Sequence, residues 1–233
     1  VIVAIIPARG GSKRIPRKNV KAFCGKPMIA WSIEAAKASK CFDKIIVSTD
    51  DVEIADVARK WGADVPFMRP AALSDDYTGT LPVMRHAVEW LSEYDAPVDY
   101  ACCLYATAPF VSPDDLQKGW ELIQHEECSY AFSVTSYAFP IQRAIRITKQ
   151  QRVEMFYPEH FNTRSQDLEE AWHDAGQFYW GTVQAWQNEQ ALFGKESVPV
   201  QLPRHRVQDI DSPEDWIRAE WLFRAMQAEA KQK

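Results

Sequence analysis

The chain opens with Val1-Ile2-Val3-Ala4-Ile5-Ile6 and runs on through Pro7-Ala8-Arg9-Gly10-Gly11-Ser12-Lys13-Arg14-Ile15-Pro16-Arg17-Lys18-Asn19. Six apolar residues in an unbroken run mark a strand covered on both faces, as in parallel sheets flanked by helices. The turn behind it, from Pro7 to Asn19, carries two glycines, two prolines and five cations but no acid. In open α/β sheets, ligands bind beyond the carboxyl ends of the strands. Paired glycines let backbone N–H groups approach phosphate oxygens, and Arg9, Arg14 and Lys18 can neutralise the charge. The spacing is neither GxxxxGK[ST] nor GxGxxG. The alternative is a solvated basic loop, and the glycines and prolines among so many cations argue against it.

The same alternation continues outward from this turn. Ile29, Ile33 and Ala36 keep helical spacing behind Pro27, which a first helical turn tolerates. Lys44–Ser48 reads as a second buried strand and Asp51–Trp61 as a helix stopped by Gly62, while Val65-Pro66-Phe67 is expected as a short edge strand. Leu81, Met84, Val88 and Leu91 share one helical face, Ala101–Leu104 is the next strand, and Leu116, Trp120 and Ile123 mark the helix after it. This order predicts a mostly parallel α/β sheet. After about residue 130 the rhythm changes: Phe132–Val134, Ile145–Ile147 and Val153–Phe156 are short β-type runs with no helix between them. They predict a small antiparallel insertion over residues 136–175 of a single domain, 1–233. Phe178-Tyr179-Trp180 returns to strand character. Ser212-Pro213-Glu214-Asp215 then supplies an N-cap serine, a first-position proline and an acid three residues on. It opens a last helix whose expected buried stripe is Trp216, Ala219, Phe223, Met226 and Ala230.

With 233 residues, 46% of them apolar and 25% charged, the chain can bury a core that needs neither a disulfide nor a structural metal. Its five cysteines fit no CxxC or zinc spacing, and Cys102 and Cys103 lie in an apolar run where thiols behave as small hydrophobes. No apolar run approaches the ~20 residues that span a bilayer, and the opening run is too short for a signal peptide, so a cytoplasmic protein without membrane contact is expected. Net charge is −5, yet residues 9–26 hold seven basic groups and no acid, leaving 20 basic against 32 acidic groups elsewhere. One positive segment on an acidic body suits a small anion better than a nucleic acid, which needs an extended basic face.

A second chemical feature is Asp209-Ile210-Asp211. Alternate residues of an extended segment point to one side, so both carboxylates can face one cation. Equally, Asp211 can simply favour the positive end of the helix that follows.

These motifs together resemble the cytidylyltransferases that activate nonulosonic acids, the family of the CMP-sialic acid synthetases. The likeness rests on Ala8-Arg9-Gly10-Gly11-Ser12-Lys13, Pro16, Lys18-Asn19 and Gly25-Lys26-Pro27. It continues in order through Ile46-Val47-Ser48-Thr49-Asp50, Arg69-Pro70, Asp76-Tyr77-Thr78-Gly79-Thr80 and Gln208-Asp209-Ile210-Asp211, covering nearly the whole chain. Cys103-Leu104-Tyr105-Ala106, Asn162-Thr163-Arg164-Ser165-Gln166-Asp167-Leu168 and His173-Asp174-Ala175-Gly176 look like the pseudaminic acid branch. Sialic acid enzymes have a glutamine–proline pair where this chain has Tyr105-Ala106.

The resemblance implies a three-layer, Rossmann-like nucleotidyltransferase that joins CTP to a nine-carbon sugar acid, foremost pseudaminic acid, with Mg²⁺ as cofactor. It implies catalytic roles for Arg9, Lys18 and Asp211 and metal binding at Asp209 and Asp211. The nucleotide would be held by Ala8, Arg9, Gly10, Gly11, Ser12, Arg14, Lys18, Asn19, Arg69, Thr78 and Thr80, with the glycines and Ser12 supplying backbone donors. The sugar would meet Tyr105, Arg143, Arg164, His173, Gln177 and Tyr179. Residues 136–175 would be the arm of a homodimer. From the residues alone, Arg143 and Arg164 read equally as structural ion pairs, and Gln177 and Tyr179 as core. Rival readings are a sialic, legionaminic or Kdo synthetase, a nucleotide-sugar binding protein without turnover, and an RNA-binding module.

Overall fold

The computed structural model describes residues 1–230. β1 (Ile2–Pro7) runs parallel between β4 (Lys44–Ser48) and β5 (Tyr100–Leu104), with Ile5 opposite both Ile46 and Cys103. Its side chains alternate between two cores. Ala4 and Ile6 pack with α1 (Met28–Ser39), α2 (Val52–Trp61) and α4 (Pro113–His125). Val3 and Ile5 pack with α3 (Thr80–Tyr94) and the short α5 (Val183–Gln187). Every inward position is therefore apolar, which is why the run shows no alternation.

The six-stranded sheet has the order β10-β6-β9-β5-β1-β4, where β6 is Tyr130–Ser136, β9 is Trp172–Thr182 and β10 is Ser197–Gln201. Only β9 runs against its neighbours, β5 and β6. The mostly parallel α/β sheet read from the sequence is thus the observed architecture, with three differences. Phe132–Val134 belongs to β6 in the main sheet, because Tyr130–Phe132 pair across to β9, some 50 residues away. The insertion itself is shorter than 136–175: it carries the hairpin β7 (Ile145–Ile147) and β8 (Val153–Met155), and Trp172–Ala175 already belong to β9. Val65–Phe67 forms no strand; only Asp64 and Met68, on either side of it, make isolated bridges, to Ile46 of β4 and to Thr49 just beyond it.

A third cluster joins the opening turn to the end of the chain. α6 (Pro213–Ala230) buries Trp216, Ala219 and Phe223 against Phe23 of β2 (Ala22–Phe23), Ile15 of the turn and Ile210. β2 pairs with β3 (Lys26–Pro27) through a tight reversal in which Cys24 and Gly25 both take positive φ. Ser212 and Asp215 cap α6 reciprocally: Asp215 accepts from the Ser212 N–H at 2.8 Å and Ser212 Oγ accepts from the Asp215 N–H at 3.2 Å. Met226 is only partly buried and Ala230 is exposed, so the stripe ends a turn earlier than its spacing suggests. Among the described residues no helix is long and apolar enough to cross a membrane.

Candidate active site

Beyond the carboxyl ends of β1 and β5 lies a cleft of about 260 Å³. The opening turn contributes Arg9, Ser12, Lys13, Arg14, Lys18 and Asn19, the turn after β5 contributes Tyr105–Thr107, and Asp211 closes the side nearest α6. Arg9 and Pro7 are shared with a second hollow of about 190 Å³, lined by Arg69, Thr78 and Thr80 at the start of α3. Segments far apart in sequence thus meet because parallel strands deliver their following turns to one edge.

The cations are placed by carboxylates. Arg9 Nη1 donates to Asp76 Oδ1 at 2.6 Å and to the Asp75 carbonyl at 2.9 Å, and Lys13 binds the other oxygen of Asp76. Asp211 Oδ1 pairs with Arg14 at 3.1 Å and Lys18 at 3.3 Å, while Lys18 also donates to the Ile210 carbonyl at 2.7 Å. Asp76 is held below the usual carboxylate range by Lys13 and Arg9. Each of these two carboxylates therefore stands where two cations meet, as a phosphate would.

The backbone donors differ from expectation. The Gly10 N–H donates to Asp50 Oδ1 at 2.9 Å, the Ser12 N–H to the Gly10 carbonyl at 3.0 Å, and the Ala8 N–H to the Ser48 carbonyl at 2.9 Å. Those three are committed inside the protein. The Gly11 N–H has no partner among the described residues, and a Cβ at Gly11 would meet nothing within 4 Å. Asn19 is buried and donates from Nδ2 to the Arg9 carbonyl at 3.0 Å, so its amide nitrogen binds the turn to itself. Arg69 is also buried, donates to Ser74 Oγ at 3.1 Å, and has its pKa lowered by desolvation. Thr78 holds Asp75 Oδ1 at 2.7 Å.

Tyr105 forms the floor of the cleft. Its hydroxyl lies 3.2 Å from Thr80 Oγ1 and its ring 5.4 Å from that of Tyr179. Burial pushes both phenols up, and Tyr179 donates to Asp174. The other expected sugar-facing residues do not line the cleft. Gln177 is buried, with Nε2 donating to the Arg206 carbonyl at 2.7 Å and Oε1 unpartnered. His173 packs its ring on Tyr137 at 4.8 Å. Arg164 forms a two-pronged pair with Asp167 at 2.7 and 3.1 Å, the ion-pair alternative, and Arg143 is exposed beside the hairpin.

Asp209 and Asp211 flank the buried Ile210; Asp209 is exposed, Asp211 is partly buried, and of the two only Asp211 lines the cleft. The Asp209 carboxyl is pushed up, by desolvation and then by the charge of Asp211. Among the described residues no group of three or more His, Cys, Asp or Glu side chains could hold a metal ion alone. Two mutually repelling carboxylates do fit Mg²⁺ when phosphate and water complete its shell. Asp211 is, however, already shared by Arg14 and Lys18, which its sequence position did not foretell.

The roles of Asp50, Asp51, Asp75 and Asp76 in holding the turn are not legible in the sequence. The only local signal was for Asp51, as an N-cap before a helical run.

Residues 3–208 match the family model described as Cytidylyltransferase. The chain is 46% identical to a pseudaminic acid cytidylyltransferase of Campylobacter jejuni over 95% of this chain and 96% of that protein. It is 32% identical to a CMP-N,N'-diacetyllegionaminic acid synthase of Legionella pneumophila over 95% and 96% of the two chains. A solved CMP:2-keto-3-deoxy-manno-octonic acid synthetase shares the fold, with a TM-score of 0.69 at 17% identity over 97% of this chain and 99% of that one. The basic turn, the cleft at the strand ends and these matches agree: the chain belongs to the cytidylyltransferase family.

Proposed function

We propose that this chain transfers CMP from CTP to a nonulosonic acid, with pseudaminic acid as the sugar. The anomeric hydroxyl loses its proton to solvent as its oxygen attacks the α-phosphorus, the bond from that phosphorus to the bridging oxygen breaks, and pyrophosphate leaves. The observation that carries this reading is the set of four cations, Arg9, Lys13, Arg14 and Lys18, around one cleft at the carboxyl ends of β1 and β5. Catalysis of such a transfer is largely positioning and charge stabilisation. Arg9 and Lys18 would take up the charge of the triphosphate, displacing their carboxylate partners, and the free Gly11 N–H would meet a phosphate oxygen. Thr78, Thr80 and Arg69 would hold the nucleoside side in the second hollow.

Asp209 and Asp211 would hold Mg²⁺, which when bound supplies further neutralisation beside the phosphates. Support for the sugar comes from the 46% identity to a protein named for pseudaminic acid. An aromatic floor at Tyr105 also suits a deoxygenated, doubly N-acylated sugar. Arg143 and Arg164 would serve the sugar only from the insertion. That insertion leaves Phe139, Ile147, Val153 and Phe161 at least 64% exposed, an apolar surface suited to a second copy of the chain. The acidic body argues against nucleic acid as a partner, and use of CTP fits the cytoplasm.

The test is pyrophosphate release from CTP and Mg²⁺ with pseudaminic, legionaminic, sialic and Kdo acids offered separately. Pseudaminic acid should give the highest kcat/KM. Higher turnover with another acid would reassign the sugar, and CTP binding without release would replace the enzyme by a binding protein.

A further inference from the structure

Four of the five cations between Arg9 and Lys18 line the cleft, and Arg17 does not. Its guanidinium meets the start of α2, where it donates to Asp51 Oδ2 at 2.6 Å and Oδ1 at 2.8 Å and also binds Glu53. Asp51 is at the same time the N-cap of α2, accepting from the Ile54 N–H at 2.9 Å. Asp50, its neighbour, holds the Gly10 N–H. Arg17 has a φ of 56°, a left-handed conformation uncommon for a residue with a side chain, and its carbonyl accepts from the N–H groups of Val20 and Lys21. That reversal brings Asn19 back onto the Arg9 carbonyl. The turn is therefore closed into a ring tied at both limbs to the β4–α2 junction. Lys18 enters the cleft because its predecessor is anchored outside it.

We propose that Arg17 and Asp51 form a clamp that sets the register of the phosphate-binding turn, making Arg17 a positioning residue for Lys18 and Arg9 that never touches the nucleotide. The clamp keeps Asp51 ionised, with a pKa lowered to about 2, chiefly by the hydrogen bonds from Arg17. The inference rests on the proposed cytidylyl transfer for its rate measurements only.

The variants are Arg17→Met, Arg17→Lys, Asp51→Asn and the double Arg17→Met/Asp51→Asn. Asparagine still caps a helix, so Asp51→Asn removes the Arg17–Asp51 ion pair, leaves that with Glu53 and keeps α2. Misplacement of catalytic groups by about 1 Å costs on the order of 100-fold, so Arg17→Met and Asp51→Asn should each lower kcat by about 10- to 100-fold. The KM for the sugar acid should hold, and the double variant should be no worse than the poorer single. Arg17→Lys, which cannot form the fork, should recover only part of the rate. Hydrogen exchange at the amides of residues 10–18, measured on the protein without substrates, should quicken in both singles. A direct contact between Arg17 and phosphate predicts wild-type kcat in Asp51→Asn, and that result overturns the clamp. Losses that multiply in the double variant, or unchanged exchange in the turn, overturn it as well. Because exchange is read without substrates, the clamp stands or falls even if the sugar acid is misassigned.

Discussion

Replacing Gly10 and Gly11 by alanine, one at a time, separates the frame of the turn from its working surface. Neither glycine has a left-handed backbone, so only space differs between them. A Cβ at Gly10 would lie 2.7 Å from Asp51 Oδ2, 2.9 Å from Asp51 Cβ and 3.1 Å from Asp51 Cγ. Asp51 cannot swing away freely, because the Ile54 N–H and the Arg17 fork hold both its oxygens. Overpacking of this kind costs about 1–3 kcal/mol. In a chain of this size that lowers Tm by about 2–12 °C. A Cβ at Gly11 meets nothing, and losing glycine's freedom in the unfolded chain stabilises by about 0.4–1 kcal/mol. Gly11→Ala should therefore keep or slightly raise Tm, while blocking close approach of a phosphate and lowering kcat/KM for CTP by at least about 10-fold. Thermal unfolding and pyrophosphate release, run on both variants, decide the matter. Wild-type Tm in Gly10→Ala, or a larger Tm loss in Gly11→Ala than in Gly10→Ala, would refute the packing argument.

Three further expectations follow from the charges. Asp211→Asn removes the anion shared by Arg14 and Lys18, and Asp209→Asn its coupled neighbour; each should cut turnover by about 100-fold or more at little cost in Tm, with partial rescue by added Mg²⁺, and wild-type rates with unchanged metal dependence would reject the pair as a metal site. Arg164→Ala loses an exposed pair with Asp167, so stability should change by less than about 0.5 kcal/mol while the KM for the sugar acid rises; a selective loss of CTP affinity would contradict this. Asp51, with its pKa lowered to about 2, contributes stability that is complete above the ordinary aspartate value and fades as pH falls toward 2, so the acid limb of a stability curve between about pH 4 and 2 should be shallower in Asp51→Asn than in the wild type.

What could be read from the sequence was what local physics enforces. β1, β4 and β5 declare themselves because parallel strands buried on both faces admit only apolar side chains. α2 is bounded by Asp51 as an N-cap and Gly62 with φ 92°, and α6 by its reciprocal cap; both signals lie within a few residues. β10 leaves no strand signature because Pro199 interrupts it and, as an edge strand, it exposes most of its side chains at least in part. Phe132–Val134 of β6 reads as part of the insertion because only its distant partners β9 and β10 identify it as part of the main sheet. The site divides in the same way. A glycine pair among cations is visible in one segment, but the carboxylates that aim those cations arrive from positions 51, 76 and 211, and the one that holds the Gly10 N–H from position 50, all through tertiary contact. No spacing rule connects them.

The reversed strand in the middle of the sheet has an architectural consequence. β6 points the same way as β1 and β5, and β9 returns beside it, so the chain leaves and re-enters the core at one edge through two neighbouring strands. That edge is the one bearing the cleft. Everything between Tyr137 and Ala171 is consequently an excursion whose two stems are already hydrogen-bonded to each other, with Tyr137 donating to the Ala171 carbonyl at 3.0 Å. Its length and composition can change without threading new chain through either core, because closing a longer loop costs only about 0.6 kcal/mol per doubling. The fold thus confines variation to an excursion from one edge of the sheet while the basic turn behind β1 stays fixed in the core's frame, so the part proposed to meet the sugar can change without disturbing the part proposed to hold the phosphates.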